Sequence, residues 1–66
     1  MTDWRRIVGK NVRSLRLSAN MTQEKLAYEA DCDLTEVSGI ERGKRNPSWL
    51  VMARMADALG VHPRDL

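Results

Sequence analysis

Thr22-Gln23-Glu24-Lys25-Leu26-Ala27-Tyr28-Glu29-Ala30, then Asp31-Cys32, then Asp33-Leu34-Thr35-Glu36-Val37-Ser38-Gly39-Ile40-Glu41-Arg42 is the stretch on which the fold turns. Each half opens on a residue whose side chain can accept from the first free N–H groups of a helix, Thr22 and Asp33. Asp33 with Glu36 also makes the D-x-x-E pattern of a capping box. Leu26, Ala27 and Ala30 fall on one face of the first half, and Val37 and Ile40 on one face of the second. Ala27 and Ala30 are small enough for two helices to approach closely. Asp31 tolerates the positive φ that a tight turn requires, and Gly43 stops the second helix. The spacing therefore predicts two short helices, about Gln23 to Ala30 and Leu34 to Arg42, joined by a short turn.

Upstream, Trp4, Val8, Val12 and Leu15 share a face of a helix predicted from about Asp3 to Ser18, which Ala19-Asn20 ends. Downstream, Lys44-Arg45-Asn46-Pro47 is a loop, and Ser48 caps a fourth helix that Gly60 closes. Trp49, Met52, Met55, Ala56 and Leu59 supply the inward stripe of that helix, which leaves Leu50 and Val51 exposed in a monomer. Pro63 suits the first position of a fifth helix, with His62 as its cap. No alternating strand pattern competes. The expected architecture is all-α, a compact five-helix bundle, with residues 1–66 as one domain.

Composition narrows the function. A chain of 66 residues buries roughly 60% of the surface its unfolded form exposes, so it makes one core of modest stability. No apolar run approaches the ~20 residues of a membrane span, and Met1 to Arg6 lacks the apolar stretch of a signal peptide. With the single cysteine Cys32, no intramolecular disulfide can form, which fits a reducing cytoplasm. Cys32 reads as a small hydrophobe in the turn. His62 is the only histidine, so neither a metal site nor a catalytic pair is expected. Gly9-Lys10-Asn11 and Gly43-Lys44-Arg45 both lack the phosphate-cradling G-x-x-x-x-G-K-[ST] frame. An enzyme is not expected. Net charge is only +2, but its distribution is uneven. Residues 4–25 hold six bases (Arg5, Arg6, Lys10, Arg13, Arg16, Lys25) against Glu24, whereas residues 29–41 carry five acids and no base. Arg42, Lys44 and Arg45 follow directly.

Two short helices, a turn and then a basic loop make a helix-turn-helix arrangement. The runs Met21-Thr22-Gln23-Glu24-Lys25-Leu26-Ala27 and Ser38-Gly39-Ile40-Glu41-Arg42-Gly43-Lys44-Arg45-Asn46-Pro47-Ser48 resemble the phage repressor/Cro-type (XRE-like) helix-turn-helix DNA-binding family, as does the ending Ala58-Leu59-Gly60-Val61. The resemblance extends from about Val8 to Leu66. The wording around Leu26-Ala27-Tyr28 and Ser38 to Arg42 is similar to restriction-modification controller proteins, a subgroup of that family.

The resemblance implies a helix-turn-helix over about 22–42, double-stranded DNA and a second copy of the chain as partners, and no cofactor or metal. It implies phosphate contacts from Gln23, Arg42, Lys44, Arg45 and Asn46. Base contacts would come from Leu34, Thr35, Glu36, Ser38 and Gly39, with Thr35 as the main direct reader. Glu36 has two readings, the far end of the cap and an acceptor for cytosine N4. Leu34 is either a thymine-methyl contact or an exposed apolar residue. Arg16 and Glu41 match positions that form a buried ion pair in relatives. Leu50, Val51, Val61 and Leu66 would line a two-fold interface, since relatives dimerise through their C-terminal helices. Arg5, Arg6 and Arg54 read as ordinary surface. Relatives usually carry glycine where Asn20 and Asp31 stand. Two functions are therefore expected to compete. One is a transcriptional regulator that binds an inverted repeat as a homodimer. The other is a protein-interaction module with the same fold, suggested by the acidic third helix and the Leu50-Val51 pair.

Overall fold

The second, third and fourth helices start where the sequence places them, and Thr22 and Ser48 cap as expected. In the computed structural model, which describes residues 2–66, α1 spans Trp4–Ser18, α2 Gln23–Glu29, α3 Leu34–Glu41 and α4 Trp49–Leu59. Asp3 Oδ1 accepts from the Arg5 amide at 3.1 Å, Thr22 Oγ1 from Lys25 at 3.0 Å and Ser48 Oγ from Val51 at 3.2 Å. Each side chain satisfies one of the amides that a helix start leaves without a partner. Asn20 and Asp31 adopt φ of 57° and 54°, so both take the left-handed turn conformation that a short polar side chain tolerates.

Two local expectations are corrected. The described residues contain four α-helices, not five, because Pro63–Asp65 closes as a single 3-10 turn. His62 caps that turn as expected. Its Nδ1 accepts from the Arg64 amide while its own amide donates to Asp65 Oδ2, both at 3.1 Å. The Leu66 amide then folds back to the Pro63 carbonyl at 3.1 Å. The capping box of α3 does not form either, since Asp33 makes no side-chain cap. The amide it would have served, that of Glu36, donates instead to the Asp33 carbonyl at 3.0 Å.

α3 is the central element, packed against α1 on one side and α2 on the other, while α2 also meets α4. Val12, Leu26, Val37, Ile40 and Met55 are fully buried at this junction, together with Ala27, Ala30 and Ala56. Gly9 lets α1 lie directly on the end of α3. A Cβ there would run into the Ile40 carbonyl oxygen.

The aromatic residues are not where the periodicity predicts. Trp4 is 68% exposed, because the first turn of α1 lies beside Asn46 of the loop after α3, not over the core. Trp49 is 72% exposed and Val51 only 9%, so the inward stripe of α4 runs through Val51, Met55 and Ala56. Leu66 is also buried in the protomer's own core, and Asn11 Nδ2 donates to its carbonyl at 2.7 Å. Val51 and Leu66 are thus not exposed apolar residues awaiting a partner.

Cys32 sits half-buried against the core in the α2–α3 turn. Burial, aided by the Glu36 and Asp33 charges and opposed by Arg54, raises its thiol above the ordinary value. The unfolded chain therefore loses this proton first as pH rises. The associated stability is intact below the ordinary thiol pKa and is lost as pH rises through the folded one. At pH 8, alkylation of Cys32 by iodoacetamide is expected to be several-fold slower in the native protein than in urea. Equal rates would contradict the raised pKa.

Candidate nucleic-acid interface

α3 shows solvent a narrow strip. Val37, Gly39 and Ile40 face inward, Leu34 and Thr35 at its start are exposed, and Glu36 and Ser38 are half-buried. Leu34 is 44% exposed at the leading end. Gly39 is corrected from the expected base-contact set, because it is buried under Arg45. A Cβ at Gly39 would lie 2.9 Å from the Cγ and Cδ atoms of that side chain. The residue presents no edge to a base and instead seats the arginine stem.

The basic loop is folded back onto the C-terminus of α3. The Gly43 amide donates to the Ile40 carbonyl at 3.0 Å, and the Lys44 and Arg45 amides converge on the Gly39 carbonyl at 2.9 and 3.3 Å. Gly43 makes this possible with φ of 73°, a conformation that L side chains rarely adopt. Arg42 Nε donates to the Ser38 carbonyl at 3.3 Å, a favourable place for a cation at the negative end of a helix. Arg42, Lys44, Arg45 and Asn46 are all exposed. The loop thus presents four solvent-facing polar or cationic side chains, held in fixed register to Leu34 and Thr35.

Behind this surface lies the buried pair. Arg16 Nε and Nη2 meet the two Glu41 oxygens at 2.7 and 3.0 Å, and Arg16 Nη1 donates to the Met21 carbonyl at 2.8 Å. The two side chains are 8% and 2% exposed. Hydrogen bonding to Glu41 holds the Arg16 guanidinium pKa above its ordinary value, against a smaller opposing effect of burial. Gln23 Nε2 also donates to Glu41 Oε1, at 3.1 Å. The Gln23 amide, expected to face outward, therefore turns one N–H inward and keeps one for an external acceptor. These contacts tie α1, the start of α2 and the end of α3 into one unit. On α2, Lys25 is held over Tyr28 and paired with Glu29 at 2.9 Å.

Arg6 reads as ordinary surface in the sequence, and Lys10 and Arg13 carry no motif there. The structure sets them along α1 beside Arg42 and Gly43. The available signal is their i, i+4, i+7 spacing, which puts three bases on one helical face. Of the four residues expected at a two-fold interface, Leu50 is 56% exposed, Val61 is half-buried against the core, and Val51 and Leu66 are buried. Trp49 adds exposed apolar surface next to Leu50.

The chain is similar to known proteins along nearly its whole length. The helix-turn-helix domain family matches residues 7–66. The chain is 51% identical over 63 residues to the control protein C.BamHI of Bacillus amyloliquefaciens, covering 94% of this chain and 78% of that protein. It superposes on the restriction-modification controller protein C.AhdI from Aeromonas hydrophila with a TM-score of 0.92 and 34% identity, covering 97% of both chains. The controller protein C.Esp1396I, solved as a tetramer in complex with its natural 35 base-pair operator, gives a TM-score of 0.85 at 34% identity, covering 94% of this chain and 82% of that one.

Proposed function

The chain belongs to the helix-turn-helix family of the restriction-modification controller proteins, and from that premise we propose that it is a sequence-specific DNA-binding transcriptional regulator acting on an inverted-repeat operator as a homodimer. The observation that carries this reading is the exposed Arg42–Asn46 loop, hydrogen-bonded onto the end of the helix whose start carries Leu34 and Thr35. With the start of α3 in the major groove, the loop meets the flanking phosphates. Thr35 then reads base edges by its hydroxyl, Leu34 meets a thymine methyl, and Ser38 and Glu36 are secondary contacts. Gln23 contributes its remaining N–H to a phosphate. Leu50, with Trp49 beside it, supplies the apolar surface for the second copy. The same reading makes the protein a non-enzymatic cytoplasmic regulator without cofactor or metal.

The test is a titration with DNA from upstream of the protein's own gene at two salt concentrations. A protein making 6–10 phosphate contacts loses roughly 10³–10⁵ in affinity between 50 and 200 mM salt, and this protein is expected to behave so. The Arg42→Ala/Lys44→Ala/Arg45→Ala variant should bind every sequence more weakly, with a shallower salt dependence. Absence of binding at low salt, or a triple variant that binds like the wild type, would refute the proposal. Exposed Trp49 and Leu50 favour a protein-interaction module as the second reading, and that outcome is the one it requires.

A further inference from the structure

Arg6, Lys10 and Arg13 occupy one face of α1, and the fold turns that face toward the end of α3. With Ile7, Glu41, Arg42 and Gly43 they line an open cleft of about 410 Å³. Arg6, Lys10, Arg13 and Arg42 are all exposed, and none of the four takes part in a salt bridge among the described residues. The one carboxylate in the wall, Glu41, is already occupied by Arg16 and Gln23. The cleft is therefore a concentration of uncompensated positive charge, which an anion relieves. Its geometry is also fixed. A Cβ at Gly43 would lie 3.1 Å from Arg6 Cγ and 3.3 Å from Arg6 Cα, so the loop packs on the Arg6 backbone and stem, and the residue remains exposed.

We propose that this cleft holds a backbone phosphate of the same DNA that the Arg42–Asn46 loop contacts. This inference rests on the DNA-binding reading and lengthens its contact track from the loop onto the first half of α1. Continuity supports it, since Arg42 and Gly43 belong to both the loop and the cleft. Openness supports DNA over a small free anion as the source of that phosphate, because a long polyanion can cover a cleft that the protein leaves unclosed. Arg6, Lys10 and Arg13 are then phosphate ligands and not plain surface. They contribute affinity but no sequence information.

The experiment compares salt dependence of operator binding in the wild type, Arg6→Gln/Lys10→Gln and Lys10→Gln/Arg13→Gln. Glutamine keeps the aliphatic stem, and the second pair leaves the Arg6–Gly43 packing untouched, so at least one variant retains the fold by thermal melting. The slope of log K against log salt should fall by roughly 0.9 for each phosphate that the variant no longer neutralises, with the ratio of operator to unrelated DNA affinity unchanged. Arg64→Gln, on the exposed turn after α4, should leave the slope alone. Phosphate ethylation should also reveal a position whose blocking weakens the wild type but not the variants. Unchanged slopes in folded variants, or an equal fall in Arg64→Gln, overturn the cleft while leaving the DNA-binding reading standing. A wild type that binds no DNA at low salt overturns both.

Discussion

Replacing Arg16 by methionine is expected to cost about 3–5 kcal/mol of folding stability, the usual loss when one half of a buried ion pair is removed. Methionine fills much of the space but donates nothing. Glu41, only 2% exposed, would keep a single hydrogen bond from Gln23 at 3.1 Å, and the Met21 carbonyl would lose its donor. At ~0.05–0.15 kcal/mol of stability per residue, such a loss is a large share of what a domain of 66 residues has. Urea denaturation of Arg16→Met and Arg16→Met/Glu41→Leu provides the measurement. The double variant should recover most of the loss, since replacing both charges leaves neither unpaired in the interior. A single variant within about 1 kcal/mol of the wild type would mean that water reaches the pair and that its burial contributes little. Because the Arg16 pKa is raised, the arginine's contribution is complete below the ordinary guanidinium value. It is lost only as pH rises through the higher, folded one, so no weakening from this group is expected around neutrality. DNA binding should fail with the fold, because the pair joins α1 to the end of α3 from which the basic loop departs.

Gly9→Ala is the second large effect, and its sign is diagnostic. In an isolated helix this change is favourable by ~0.8–1.0 kcal/mol. Here it is expected to destabilise by about 1–3 kcal/mol or more, as overpacking does. The added Cβ would collide with the Ile40 carbonyl oxygen and stand 3.0 Å from that of Glu41. Both obstacles are backbone, so no side chain can swing away. The Ile40 carbonyl also accepts from the Gly43 amide at the start of the loop, which means that separating α1 from α3 disturbs the basic loop as well. Gly39→Ala is the control. Its obstacle is the flexible Arg45 side chain, and a change within about 1 kcal/mol is expected as helix propensity offsets the displacement. Thermal melting of the two variants separates the cases, and a Gly9→Ala protein as stable as the wild type would refute the close approach.

What was legible from residues alone was local. Thr22 and Ser48 cap because a hydroxyl placed just before an apolar run serves the nearest free amides, whatever surrounds it. Asn20 and Asp31 turn left-handed because their short polar side chains tolerate it. The motifs taken together carried the family, and with it the expectation of the Arg16–Glu41 pair. Chain neighbours are enough for the caps and the turns.

The rest depended on what each face meets across space. The α4 pattern admits two stripes that share Met55 and Ala56, one through Trp49 and the other through Val51. Only packing against α2 and the 3-10 turn chooses Val51, and it takes Leu66 into the core as well. Trp4 satisfies the apolar period of α1, yet its turn overhangs a polar loop and leaves the ring outside. Gly39 lies on a helix whose neighbouring face reads DNA in the proposed function, yet a loop six residues downstream returns to cover it. The basic face of α1 looks like ordinary solvated charge until α3 delivers Arg42 beside it. By itself, then, the sequence determined a helix-turn-helix with a basic loop behind it, because capping and periodicity act over a few residues. Tertiary structure alone decided which side chains of that unit remain available, because exposure is set by the elements packed against a residue and not by its neighbours in the chain.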